Sequence, residues 1–407
     1  MKKVLIWDMF PLTNTGGPSG YLYNVHQYLR THPCEQITFL SDLIIEQRKA
    51  LPWENRPLRS TPNSRLEQIW YQIEKAYSMC LKPFWEIEYK ELASINVNQY
   101  EYVHVHIITH VSQFRRLFPN YTGKLILTIH CPCTWTEEIL NYTASAKSKL
   151  NKLTRRIRPL ILKEECKAYY TADYIMFPCI GAKEPYIKEL RVKHVFEEVE
   201  NKFFYVPSAI MDYHADEKRG QKLSELGIPK DAFVITYFGR HISVKGYDVL
   251  IEVCLRLLQK YPHLYVLCAG KGDIEAPIHP RWKELGFINN VDDLLPQANL
   301  YILPNKETYF DLITLQILRA GVPLLLSDTG GNKYFQELPN AETKGLAFFS
   351  YDNINQLEIL ACRIVELQAN NVAAYKAMKE SNRALYEKYF TLDQYIAKYI
   401  ESINTLK

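Results

Sequence analysis

Two stretches of this chain set charged side chains in a loop between an apolar run and a helical pattern, and the first, with glycine at both ends of its loop, is suited to meeting an anion. In the first, Phe238-Gly239-Arg240-His241-Ile242-Ser243-Val244-Lys245-Gly246-Tyr247, an apolar run ends, a loop carries one arginine and one lysine, and a helical periodicity begins. A helix N-terminus presents free backbone N–H groups and the positive end of its dipole, an arrangement that favours phosphate oxygens. Arg240 adds a planar fork and Lys245 a compact point charge. The second stretch, Leu303-Pro304-Asn305-Lys306-Glu307-Thr308-Tyr309-Phe310-Asp311-Leu312, repeats the strand, loop, helix plan. Glu307 can accept two hydroxyls there, and the amides of Phe310, Asp311 and Leu312 can bind a further oxygen. Taken singly, a basic pair or a loop glutamate reads as solvated surface; the weight comes from their succession.

More glycine punctuation follows the same order along the chain: Gly270-Lys271-Gly272, Gly286-Phe287, Gln316 with Ala320-Gly321-Val322-Pro323, and Ser327-Asp328-Thr329-Gly330-Gly331. Near the start, Gly16-Gly17 precedes Pro18-Ser19-Gly20, where glycine lets backbone amides approach a phosphate without an intervening side chain. Histidines gather in the first half as His104-Val105-His106, His110 and His130-Cys131-Pro132-Cys133. Residues two apart share a face of a strand, which invites a zinc reading. The loop spacing of four-ligand zinc sites is missing, so no metal site is expected and His104 and His106 are read as lining or supporting a ligand cleft.

These residues have to be held by something. Short apolar runs at 4–7, 36–40, 102–107, 124–129, 174–177 and 203–206 read as strands, followed by a second series at 233–238, 264–269, 286–288, 300–303, 323–326 and 346–349. Helical periodicities fall between them, for example at 21–30, 65–80, 183–190, 247–260, 292–297 and 310–319. Nearly all-apolar strands alternating with helices imply parallel sheets covered on both faces. The series occurs twice, with a polar break at 214–222 between. The fold class is therefore α/β, two doubly wound Rossmann-like domains, with ligands expected outside the carboxyl ends of the strands in a shared cleft. The expected division is an acceptor-side domain over 1–208, a donor domain over 209–385 and a terminal helical segment over 386–407 that packs back on the first.

Composition bounds the rest. The chain has 407 residues, 47% hydrophobic and 23% charged, which fits ordinary globular domains and excludes disorder, collagen and coiled coil. Net charge is 49 − 45 = +4, too small an excess for a nucleic-acid binder. No apolar run approaches the ~18 residues of a membrane span, and Asp8 and Pro11 interrupt the N-terminal apolar run before it resembles a leader. Nine scattered cysteines suggest a reduced, cytoplasmic chain, in which the sequons at Asn120 and Asn141 carry no glycan.

Together these segments resemble the donor-binding half of the GT-B glycosyltransferases, most closely the large retaining family 4, also called glycosyl transferases group 1. The similarity is specific from about 233 to 331 and looser in the first half, where Gly16-Gly17 and Thr128-Ile129-His130 are similar to that family's loops. The resemblance implies transfer of a sugar from a nucleotide-sugar donor to an acceptor hydroxyl, with retention, on a glycan or a lipid- or protein-linked saccharide. It further implies that Arg240 and Lys245 hold the diphosphate and that Glu307 orients the donor sugar with the amides of Phe310, Asp311 and Leu312. Gln316 then touches the ribose, Gly286 and Phe287 frame the base, and His130 lies near the reacting carbon. UDP-sugars are expected over GDP-sugars, with no cofactor. No Asp-x-Asp pair occurs, so transfer is expected to be metal-independent, with cations and helix N-termini taking the leaving charge.

One departure bears on activity. The family places two glutamates eight positions apart; here the second position is Gln316, and Glu307 stands nine residues before it. A rival reading is therefore a catalytically impaired chain that binds glycan or stabilises an active glycosyltransferase. Finally, Lys147, Lys149, Lys152, Arg155, Arg156, Arg158, Lys163 and Lys167 stand against only Glu164 and Glu165, with Leu150, Leu153, Ile157 and Ile161 at helical spacing. This reads either as peripheral contact with an anionic membrane at its inner face or as a solvated helix packed on its own domain, with Pro159 breaking it.

Overall fold

A computed structural model describes residues 2–13, 17–44, 65–87, 90–144, 149–213, 223–288 and 291–407. It divides into two compact units: Met1–Phe177 with Pro185–Val206 and Tyr399–Lys407, and Pro178–Glu184 with Pro207–Lys398.

The first unit is built on six parallel strands: β1 (Val4–Trp7), β2 (Ile37–Phe39), β3 (Tyr102–Val105), β4 (Lys124–Thr128), β5 (Tyr174–Phe177) and β6 (Phe203–Tyr205). Their order is β2-β1-β3-β4-β5-β6. Every side chain of β1 and β3 is buried, as expected for strands covered on both faces. Helix α1 (Gly17–Thr31) follows β1, α2 (Arg65–Cys80) and α3 (Ile108–Leu117) flank β3, and α4 (Trp135–Ala144) and α5 (Lys149–Thr171) follow β4. The last segment belongs here too: Lys2 Nζ reaches the carbonyls of Ile403 and Leu406, and the Tyr399 hydroxyl meets His104.

The second unit repeats the plan with β7 (Phe233–Phe238), β8 (Leu264–Ala269), β9 (Trp282–Glu284), β10 (Leu300–Leu303), β11 (Leu324–Ser327) and β12 (Leu346–Phe349). All pairings are parallel, in the order β12-β11-β10-β7-β8-β9. Helix α6 (Tyr247–Lys260) follows β7 and α7 (Leu312–Arg319) follows β10. The strand series reverses direction between β7 and β10, which is where ligands of such sheets bind. These are the two strands whose loops carry Arg240, Lys245 and Glu307. Two six-stranded parallel sheets with covering helices form the expected α/β, GT-B architecture.

Two local expectations are corrected. The strand expected at 286–288 lies instead at Trp282–Glu284, where Val266, Leu267 and Cys268 of β8 pair with it. Gly286 has φ +66°, a left-handed conformation that ends a strand, whereas Trp282 is buried and packs beneath α6. Pro159 does not break its helix: α5 runs through it from Lys149 to Thr171. Pro159 and Arg155 are both exposed, so the carbonyl that loses its helical donor can be met by water. The polar break at 214–222 lies outside the described residues.

Candidate functional site

In the second unit, glycines bring three loops into backbone contact. Gly239 N–H donates to the Ala269 carbonyl at 2.9 Å, and His241 N–H to the Lys271 carbonyl at 3.0 Å. A Cβ at Gly270 would fall 1.8 Å from the Gly239 oxygen, and one at Gly272 would fall 2.1 Å from the His241 oxygen. The Gly270-Lys271-Gly272 motif is thus the clasp that fixes the Arg240 loop. His241 is buried beneath it, its ring stacked on Tyr247 at 3.9 Å with 3° between planes, and burial lowers its pKa. Arg240 is exposed and has no ion-pair partner among the described residues.

Gly246 makes the next contact. Its φ is +67°, and a Cβ there would lie 1.8 Å from the Pro304 carbonyl oxygen. Lys306 N–H donates to the Val244 carbonyl at 3.0 Å, so the turn Ser243–Lys245 is docked on the loop after β10. The Lys245 ammonium consequently meets Asp311, 2.9 Å from Oδ1 and 2.7 Å from Oδ2. Asn305, fully buried, donates its amide to the same carboxylate. Asp311 is the N-cap of α7, yet its side chain makes no capping bond. It is turned to Lys245 instead, leaving the first N–H groups of α7 without a side-chain cap.

The Phe310 ring belongs to the core, buried at 5.5 Å from Phe335 and 5.8 Å from Tyr334, which leaves its backbone amide as the part to meet a ligand. The Gly330-Gly331 turn lies against the same loop, since a Cβ at Gly331 would fall 1.8 Å from the Tyr309 oxygen. Its amides are taken internally, Gly330 N–H by Glu184 and Gly331 N–H by the Thr308 carbonyl. Glu307 is half-buried. The residue eight before Gln316 is Thr308, wholly buried with its hydroxyl unpartnered, and α7 is regular from Leu312 to Arg319. The register difference seen in the sequence is therefore not absorbed inside the helix.

Gln316 donates to Asp292 Oδ1 at 3.1 Å, and the same oxygen takes Arg319, whose guanidinium lies 5.5 Å over the Tyr213 ring. Neither Asp292 nor Arg319 stands out in the sequence as a site neighbour, because the former lies in a loop 24 residues before Gln316. Gly286, with open space around its Cβ position, and Phe287, 64% exposed, sit in the turn after β9. A separate cavity of about 310 Å³ is lined by Asp248, Glu252, Lys306, Tyr351 and Asp352. It contains none of the expected site residues, and its acidic lining is unsuited to a diphosphate.

In the first unit, Gly17 opens α1 with φ +73°, and Ser19 ties the preceding loop by accepting from Thr13 N–H at 2.8 Å and donating to the Pro11 carbonyl at 2.7 Å. Gly16 lies outside the described residues. His130 follows β4, and its loop is held at both ends. Tyr186 donates to the Cys131 carbonyl, and buried Glu165 accepts from the backbone of Trp135 and Thr136 at 2.9 Å each.

His130 Nε2 is 3.0 Å from His106 Nδ1, and Tyr21 lies over it at 5.0 Å. His104, whose ring lies 4.1 Å from that of His106 at a tilt of 31°, is fixed by Tyr399 at 2.8 Å and Thr128 at 2.7 Å. Burial pushes His130 down to about 3 and His110 to about 4, and holds His104 and His106 well below the usual histidine range. The cluster is neutral at pH 7.

The shared proton can be placed. His106 Nε2 is buried and unpartnered. An unmade buried N–H costs more than an unmade lone pair, so the proton sits on Nδ1 and donates to His130 Nε2. That puts the proton of His130 on Nδ1. Among the described residues, no group of three or more His, Cys, Asp or Glu is arranged to hold a metal ion.

Residues 232–367 match the family profile described as "Glycosyl transferases group 1". A D-inositol 3-phosphate glycosyltransferase of Salinispora arenicola is 29% identical over 138 residues, 28% of this chain and 31% of that protein. The Vi polysaccharide biosynthesis protein VipC/TviE of Salmonella typhi is 20% identical over 174 residues, 40% of this chain and 29% of its own length. The matches thus span about a third of these relatives.

Solved structures agree over the whole chain. Anabaena HepE in complex with UDP superposes with TM-score 0.60 at 11% identity, covering 100% of both chains. Sucrose-phosphate synthase from Thermosynechococcus elongatus gives TM-score 0.62 at 13% identity, covering 99% of this chain and 98% of the other. At such identities the likeness is one of fold.

Proposed function

We propose that this chain, a GT-B fold whose second unit carries a glycosyl transferases group 1 domain, is a glycosyltransferase that moves a sugar from a nucleoside diphosphate to an acceptor hydroxyl with retention. The observation that carries the reading is the placement of Arg240, Lys245 and the uncapped N-terminus of α7 on the loops of β7 and β10, where the strand order reverses. The solved likeness to a protein bound to UDP, and to the same protein with UDP-glucose, supports a UDP-sugar as donor.

In the step itself the acceptor oxygen bonds to the anomeric carbon while the bond from that carbon to the diphosphate oxygen breaks. The electron pair leaves with the diphosphate, which takes up the acceptor's proton on the same face. Arg240, Lys245 and the amides of Asp311 and Leu312 stabilise the departing charge. Glu307 orients the sugar hydroxyls. Gln316, its amide occupied by Asp292, offers Oε1 to the ribose, and exposed Phe287 offers a face to the base. His130 is the first unit's candidate for contact with the reacting sugar, presenting a neutral imidazole. Since cations already meet the diphosphate, turnover should survive EDTA; a loss restored only by a divalent ion would contradict this. The basic run from Lys147 to Lys167 draws the protein to an anionic membrane, where a lipid-linked saccharide acceptor would be met.

A second reading has a specific observation behind it: Lys245 is already neutralised by Asp311, and Gln316 supplies no charge. On that reading the chain binds nucleotide or glycan without turnover, as a partner of an active glycosyltransferase. A thermal-shift screen of nucleotide sugars, followed by product detection with candidate acceptors, separates the two. Stabilisation by a UDP-sugar with product formed supports the enzyme; stabilisation without product under any donor and acceptor supports the partner.

A further inference from the structure

Helix α2 carries one apolar stripe along its full length and buries only half of it. Leu66, Ile69, Trp70, Ile73, Ala76, Tyr77 and Cys80 recur at intervals of three and four, so they share one face. At the C-terminal end that face is core: Ala76 and Cys80 are buried, and Cys80 and Tyr77 pack with Ile157, Leu160 and Ile161 of α5. At the N-terminal end the same face stands in water. Leu66 is 72% exposed, Trp70 68%, Ile69 47% and Ile73 41%. Scattered apolar side chains on a surface need no explanation, but four contiguous large ones on a single helical stripe mark a docking face.

The helix that α2 packs against says what the docking partner is. Every exposed charged side chain described on α5 is a cation: Lys152, Arg155, Arg156, Lys163 and Lys167. Its acids are spent inside, with Glu164 and Glu165 buried, while Arg158 is held by Glu137 and Glu189. A second copy of the chain seated on this face would bring two sets of these cations together. An anionic bilayer instead meets both features at once, the cations at its headgroups and the aliphatic side chains at the acyl boundary. Trp70 suits that depth, with an apolar body and one N–H to keep wet.

We propose that the N-terminal half of α2 is a membrane-inserting segment: Leu66, Ile69, Trp70 and Ile73 enter the interface of an anionic bilayer to which α5 is attracted. This rests on the membrane reading of the basic run above and adds the element that gives it depth. Attraction through α5 alone would be largely screened by salt, whereas buried apolar area persists.

The full-length chain is mixed with vesicles of phosphatidylglycerol and phosphatidylcholine, or of phosphatidylcholine alone, and sedimented at low and high salt. Wild type should partition to the anionic vesicles and retain part of that binding at high salt. The exposed-site variant Ile69→Glu/Trp70→Glu, with its fold checked by thermal unfolding, should lose tenfold or more of the partitioning. Lys152→Glu/Arg156→Glu should lose the salt-sensitive part. Lipids brominated near the headgroup end of the acyl chain should quench wild-type tryptophan emission more than that of Trp70→Phe. If Ile69→Glu/Trp70→Glu binds anionic vesicles as wild type does, the inserting segment is overturned and attraction through α5 alone survives. If wild type binds no vesicle, both fail. A dimer that Ile69→Glu/Trp70→Glu abolishes, without vesicle binding, would assign the face to a second copy and overturn the proposal.

Discussion

The loops at the carboxyl ends of the two sheets occupy equivalent places in a repeated topology, yet their electrostatics are opposite. Around the ends of β3 and β4 stand His104 in β3 itself, His106 just after it, His110 in α3 and His130 after β4, packed on aromatic rings and kept neutral by burial. After β7 and β10 stand Arg240, Lys245, Glu307 and Asp311, charged and reached by water. A neutral hydrogen-bonding cluster in a dry setting fixes directions; a charged one exchanges its partners for a ligand's. The first unit therefore reads as the part that positions, and the second as the part that takes up charge.

The largest expected effect lies on the charged side. Arg240→Ala should cost about 2–4 kcal/mol of transition-state stabilisation, the loss seen when one preorganised donor to a developing anion is removed. Its exposure means that the melting temperature should hardly move. Lys245→Ala should lose a similar amount of turnover and some stability as well, since among the described residues Asp311 would keep only Asn305 as a side-chain partner. Near-normal kcat/KM in both variants would remove the donor site from these loops.

The neutral side should show itself in the dependence of stability on pH. In the unfolded chain the four histidines take up protons near their ordinary pKa of about 6.5. In the folded chain His110 waits until about 4 and His130 until about 3. Below about pH 6.5 the unfolded state thus binds more protons, and stability falls with pH by about 1.4 kcal/mol per unit for each such histidine. Urea midpoints between pH 7.5 and pH 5 would measure the slope. His110→Phe keeps the ring against Phe10 and gives up a buried nitrogen that has no partner, so it should flatten the slope by one histidine's share. An unchanged slope would show that His110 takes up its proton in the fold as it does in the unfolded chain.

Much of this architecture was legible in the sequence because its signals are local. Strands such as Phe233–Phe238 and Leu264–Ala269 are unbroken apolar runs, and the helices Arg65–Cys80 and Tyr247–Lys260 carry a clean period. Gly286–Ile288 failed as a strand because a left-handed glycine outweighs the aromatic and aliphatic residues beside it. The site was legible in its residue types and order but not in its pairings. Nothing local announces that Lys245 will be neutralised by a carboxylate 66 positions away, or that Gln316 will be bound by Asp292. Periodicity likewise marks the apolar face of α2 without saying which half of it is covered.

Gln316 offers a sharper test than its likeness to a missing glutamate suggests. Restoring the carboxylate with Gln316→Glu should not improve donor binding. The new acid would face Asp292, lose the 3.1 Å amide bond and compete for Arg319. An unmade bond plus like-charge repulsion should destabilise the fold by about 1–3 kcal/mol. A gain in nucleotide affinity at unchanged stability would show instead that the ribose contact governs this position.

The smallest effect bears most directly on how charged the second site is when empty. Asp311 lies within 2.9 Å of the Lys245 ammonium through both oxygens, so a diphosphate bound as proposed would have to displace or share that carboxylate. Asp311→Asn keeps the shape, retains an oxygen for Lys245 and removes the opposing charge. Two unit charges about 4 Å apart near a protein surface interact by up to about 4 kcal/mol, but this pair is partly solvated and most of that is screened. A net gain of about 1 kcal/mol is expected, which is about fivefold tighter UDP binding, with a steeper fall in affinity as salt rises because Lys245 then meets the phosphate unopposed. Isothermal titration of UDP against both chains reads it directly. Weaker binding in Asp311→Asn would mean that the carboxylate's service in aiming Lys245 exceeds its repulsion of the ligand. The charged loops would then resemble the histidine cluster in function, positioning first and attracting second.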